Sequence, residues 1–67
     1  MSYDKLKGRI REMYKTDAAF ASALGLNRAT LSKKLNDRAE WNRTEMEAAC
    51  RLLNLSLKDM PDYFFAP

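Results

Sequence analysis

The chain is 67 residues long, 46% hydrophobic and 31% charged, with two glycines, two prolines and a formal net charge of +3. That length holds one domain with a small core, and the composition belongs to a compact helical protein and not to a disordered tail. One cysteine and no histidine exclude an intramolecular disulfide, the usual zinc sites and Ser-His or Cys-His catalysis, so no enzyme, metal or cofactor is expected.

In chain order, Tyr3, Leu6, Ile10, Met13 and Tyr14 fall at helical spacing after a capping Ser2 and predict a first helix over 3–14. Gly8 within it either weakens the helix or admits a close neighbour. Thr16 can cap a second helix with an apolar stripe of Phe20, Ala21 and Leu24. Gly25 then ends that helix in the left-handed conformation, because a glycine kept helical costs about 1 kcal/mol against alanine. Asn27 caps a third helix over 28–36 whose inward positions, Leu31 and Leu35, stack on one side. Asn42-Arg43-Thr44-Glu45 fits a capping box, and Met46, Ala49, Cys50 and Leu53 follow as the buried stripe of a fourth helix. Ser56 and Asp59 repeat the cap spacing and predict a short fifth helix through Met60, limited by Pro61. No segment alternates as a strand does, and no N-terminal apolar run is long enough for a signal peptide or a membrane span, so a cytoplasmic protein away from membranes is expected.

Charge is uneven along the chain. Residues 1–15 hold five basic and two acidic side chains, residues 28–43 the same numbers, and residues 44–67 two basic and four acidic. A basic region beside a neutral-to-acidic one fits either a polyanion such as nucleic acid or a merely soluble surface. Ala21, Gly25 and Leu31 sharpen the choice. Two helices crossing steeply over a short turn need a methyl-sized residue at the crossing, a left-handed turn residue and an apolar anchor on the second helix. Phe20, Leu24, Leu26 and Leu35 occupy apolar positions around this triplet, which makes it a helix-turn-helix pattern at the second and third helices.

With these motifs the whole chain resembles the short phage Cro and repressor DNA-binding domains, an XRE-like, five-helix, lambda-repressor-like class. "TDAAFASALGLNRATLSKKLN" looks like their helices two and three, and "NRTEMEAACRLLNLSLKDM" resembles helices four and five. The resemblance implies an all-α single domain over residues 1–67 that binds a palindromic double-stranded DNA operator as a homodimer, with the third helix in the major groove and transcriptional regulation as the outcome. No small-molecule ligand is implied. The family's base-contacting positions fall on Asn27, Arg28, Ala29, Ser32 and Lys33, and its phosphate-contacting positions on Thr16, Asn36, Arg38, Asn42 and Arg43.

The residue chemistry agrees with that assignment in part. At about 100° per residue, Ala29 and Lys33 point away from Leu31 and Leu35, while Arg28 lies nearer the buried side and needs its length to reach a base. Arg28 or Lys33 can donate to guanine, and the Ala29 methyl can touch a thymine methyl. Asp17 departs from the pattern, since relatives often have glutamine there and a carboxylate suits the helix dipole but repels a phosphate; Lys15 can compensate. Asp37 stands where relatives often have glycine, and aspartate tolerates the left-handed conformation. Trp41 reads as a lid on the core and Cys50 as a small buried apolar residue. Tyr63, Phe64 and Phe65 are too apolar for a free tail and are expected to pack on the core or on a second subunit. The competing reading is a protein-interaction module, antirepressor-like, that retains the fold without specific DNA binding; Asp17 and the small net charge favour it.

Overall fold

The computed structural model describes residues 3–65, which form α1 (Asp4–Tyr14), α2 (Asp17–Leu24), α3 (Arg28–Leu35), α4 (Arg43–Leu52) and α5 (Met60–Phe64), with a 3₁₀ turn at Leu57–Asp59 leading into α5. No strand occurs among the described residues. The starts of α2, α3 and α4 follow the capping chemistry read from the sequence. Thr16 Oγ1 accepts from the Ala19 N–H at 3.1 Å, Asn27 Oδ1 from the Thr30 N–H at 2.7 Å, and Asn42 Oδ1 from the Glu45 N–H at 2.8 Å. Glu45 Oε1 returns to accept from the Asn42 N–H at 3.0 Å, closing the capping box and satisfying amides that have no acceptor within the helix.

Three helices end in one way. After α2, the N–H groups of Gly25 and Leu26 donate to the carbonyls of Ser22 and Ala21; after α3, those of Asp37 and Arg38 donate to Lys34 and Lys33; after α4, those of Asn54 and Leu55 donate to Arg51 and Cys50. This is the Schellman pairing, and its left-handed residue is Gly25 (φ 83°), Asp37 (φ 61°) and Asn54 (φ 57°) in turn. The last two are the residue types that enter this conformation at least cost after glycine.

Several local expectations are corrected. Ser2 lies outside the described residues, and the position before α1 is held by Tyr3 with φ 55° and no side-chain cap. Gly8 admits no close neighbour: a Cβ built there meets nothing within 4 Å. α3 ends at Leu35, with Asn36 as its C-cap. The fifth helix does not stop at Met60, because Pro61 occupies its first turn, where a missing N–H costs no helical hydrogen bond and the fixed φ suits the helix.

The core is built from Leu6, Ile10, Phe20, Ala21, Leu31, Leu35, Ala49, Cys50, Leu53 and Phe64. Ala21 is 1% exposed and meets the requirement for a small residue between α2 and α3. Trp41 closes one side with its ring 5.0 Å from that of Phe64 in an edge-on contact, and Tyr14 meets Phe20 in the same manner at 5.3 Å. α1 also holds the end of α4: Arg9 Nε donates to the Leu53 carbonyl at 3.0 Å and the Tyr14 hydroxyl to the Leu52 carbonyl at 3.3 Å. Those carbonyls are among the ones a helix terminus leaves unpaired. The Cα radius of gyration, 10.6 Å, matches the roughly 11 Å of a packed domain of this length.

Candidate functional site

α3 divides into an inner side of Leu31, Lys34 and Leu35 and an outer side on which Arg28, Ala29, Ser32 and Lys33 are all exposed. Asn27 and Asn36, at the two ends, are exposed as well. Ala29 and Lys33 project as the 100° spacing predicts. Arg28 is not drawn inward; it lines a cavity of about 410 Å³ with Arg11, Lys15, Thr16, Asp17 and Ala18. Three cationic side chains thus gather at the start of α2, two of them from α1 and the turn that follows it. Asp17 sits in their midst with Oδ1 buried and without a hydrogen-bond partner among the described residues.

Several of the polar side chains assigned to DNA contact have partners within the fold. The side-chain oxygens of Thr16, Asn27 and Asn42 are the caps described above. Asn36 Nδ2 donates to the Ser32 carbonyl at 2.8 Å and lies 3.3 Å from Ser32 Oγ, so those two hold each other. Arg43 Nε lies 3.5 Å from Glu47 Oε2 one turn along α4. Arg38 is exposed after the end of α3. Arg28, Ala29 and Lys33 remain as a small outward patch.

Lys34 is not singled out by the sequence, yet it is the one buried charged residue among the described positions, 7% exposed. Its ammonium lies 2.9 Å from Glu45 Oε1, donates to the Glu40 carbonyl at 2.7 Å and sits 5.9 Å from the centre of the Trp41 ring. Its spacing, three residues after Leu31 and one before Leu35, carried the signal. The pair ties α3 to the start of α4 and orders the intervening loop. Burial pushes the Glu45 carboxyl upward, but the Asn42 N–H and Lys34 together hold it below the ordinary glutamate value.

The aromatic tail splits by residue. Phe64 enters the core, Tyr63 packs partly against it with the Lys5 ammonium 5.0 Å from its ring centre, and Phe65 stays 57% exposed. Phe64 and Phe65 line a second cavity, of about 400 Å³, with Tyr3, Asp37, Glu40, Trp41 and Met46. Burial, and then the charge of Asp37, push the Tyr3 hydroxyl above its usual range. Tyr3 and Glu40 are not marked by the sequence because the fold joins them from opposite ends of a 37-residue separation. Cys50 is buried, and burial followed by the Asp59 charge pushes its thiol up, the opposite of an activated nucleophile. Among the described residues no group of three His, Cys, Asp or Glu is placed to hold a metal, and no helix is long and apolar enough to cross a membrane.

No curated protein matches the chain. Among solved structures it is similar to the modulator of repression of the temperate bacteriophage TP901-1 from Lactococcus lactis, with 42% identity, a TM-score of 0.85, and coverage of 96% of this chain and 86% of that one. The family model described as DUF739, protein of unknown function, matches residues 1–67. By that match along its full length, the chain belongs to the DUF739 family.

Proposed function

We propose that this protein is a phage regulator that modulates repression by binding a repressor protein, using the helix-turn-helix frame as a protein-interaction module. The observation that carries this reading is its 42% identity, over nearly the whole domain, to a phage modulator of repression. The site chemistry supports it. Thr16, Asn27, Asn36 and Asn42 are engaged in caps and local bonds, Arg43 faces Glu47, and a carboxylate stands at the start of α2 where a DNA-binding relative would grip a phosphate. The test is to mix the protein with a candidate phage repressor and to measure the mass of the mixture by light scattering, alone and with operator DNA. A complex of the two proteins, with no selective retention of operator by this chain alone, is the expected result. Selective retention of a palindromic site by this chain, without a protein complex, overturns it.

A second reading keeps one specific observation behind it. Arg28, Ala29 and Lys33 form an exposed patch on α3, and Arg11 and Lys15 stand beside Arg28, an arrangement suited to a groove and its flanking phosphates. On that reading the chain binds operator DNA as a homodimer, with Lys33 specifying a base pair and Arg38 and Arg43 supplying phosphate contacts.

A further inference from the structure

A third cavity, of about 350 Å³, lies against α4 and is lined by Glu47, Cys50, Arg51, Leu55 and Leu57. Cys50 is buried and Leu55 half-buried, so they give it an apolar floor. Leu57 is 67% exposed, more than Met13 or Phe65, the other large hydrophobic side chains left exposed among the described residues. Its place is fixed by a closed turn: the Ser56 N–H and the Ser56 hydroxyl each donate to Asp59 Oδ2 at 3.1 Å. A leucine held out in water in this way gains nothing within its own chain. The rim carries both signs of charge. The Arg51 guanidinium has no partner among the described residues, although Glu47 precedes it by one turn; the Glu47 carboxylate lies instead 3.5 Å from Arg43, in an exposed pair worth little. A purely apolar occupant would strand a guanidinium and a carboxylate beside a dry contact, a phosphate would meet Glu47, and an ammonium would meet Arg51. A second copy of the same face avoids all three costs. Glu47 and Arg51 stand one turn apart on α4, and reversing that helix about a two-fold axis sets each opposite its counterpart of unlike charge.

We infer that this face is the joint of a symmetric homodimer, in which the α4 helices of two copies lie antiparallel, Leu57 of each copy enters the cavity of the other over Cys50 and Leu55, and Glu47 of each pairs with Arg51 of the other. Such a contact is isologous, so the projecting side chain and the cavity that receives it must occur on one chain, as they do here. The joint goes beyond both readings of the function. It needs neither repressor nor DNA, and none of its residues lines the cavity at Arg28 or the one at Trp41.

Sedimentation equilibrium of the full chain, from micromolar to millimolar concentration, should show a monomer passing into a dimer with a dissociation constant on the order of 0.1 mM, as suits a contact at the small end of the range. Leu57→Ser, Glu47→Arg and Arg51→Glu change side chains on the rim, so each should keep its melting temperature in dilute solution while weakening the dimer at least tenfold. Mixing the two charge reversals should restore association between unlike chains, because one then carries two cations at the joint and the other two carboxylates; a variant that merely misfolds is not rescued by mixing. A monomer at every concentration, or a mixture of the two reversals that stays monomeric, overturns the inference. A monomeric wild-type chain whose repressor complex is weakened by Leu57→Ser also overturns it and gives this face to the repressor. Loss of the dimer in Leu57→Ser with the repressor complex intact supports the joint as a face of its own, so its failure and that of the repressor-binding reading are distinguishable.

Discussion

Leu31 and Glu45 represent two ways in which one residue decides the stability of so small a domain. Leu31 is fully buried between α2 and the rest of the core, and truncation there removes transfer free energy and leaves a cavity. Leu31→Ala should cost about 2–5 kcal/mol, a large part of the ~5–15 kcal/mol of an ordinary domain, read as a fall in the denaturant midpoint. Glu45 joins a cap to a partly buried ion pair. Its folded carboxyl titrates below its unfolded value, so the stability it contributes is present above the unfolded pKa and is lost as pH falls through the folded one. Glu45→Gln should therefore lower the midpoint at neutral pH and flatten its decline between neutral and strongly acidic pH, measured by urea unfolding across that range. The cap half of this arrangement was legible, since Asn42 and Glu45 stand three apart in the chain. The Lys34 half was not, because an ion pair eleven residues long in sequence depends on where α3 and α4 are brought together.

At the scale of elements, the ends carry as much information as the helices. Gly25 has room for a methyl group, with nothing within 4 Å, yet its φ is 83°. Gly25→Ala should thus cost only the left-handed backbone penalty of roughly 1–2 kcal/mol, with no added clash, and a thermal melt should show a moderate shift and not loss of the fold. Asp37 and Asn54 perform the same turn with side chains present, which is why the ends of α3 and α4 are harder to read than that of α2. α5 divides the aromatic tail: Phe64→Ala should cost about 3–5 kcal/mol, and Phe65→Ala less than about 0.5 kcal/mol, compared by denaturant unfolding of the two variants. Tyr63, Phe64 and Phe65 share a composition that predicts burial of them all. A helix turns consecutive residues by about 100°, so α5 can place only one squarely in the core. Extending α5 past Pro61 is what brings Phe64 onto Trp41.

At the scale of the whole molecule, the proposed repressor binding would couple to stability. A ligand that binds only the folded state adds about 2.7 kcal/mol at one hundred times its dissociation constant, a substantial increment for a 67-residue domain. The melting temperature should therefore rise with repressor concentration and stay flat with random duplex DNA at physiological salt, followed by a calorimetric scan; a rise with DNA alone would favour the groove-binding reading. The sequence by itself determined the helices and most of the core, since capping residues, helical spacing and Gly25 act over a few positions and leave their pattern in the chain. It also marked which residues of α3 point outward. Only the tertiary structure decided what those outward residues accompany: Arg11 and Lys15 beside Arg28, the buried Lys34 under Trp41, and a cavity assembled from Tyr3, Glu40 and Phe65. Such groupings are formed by packing between elements distant in sequence, where no periodicity or short-range spacing records them.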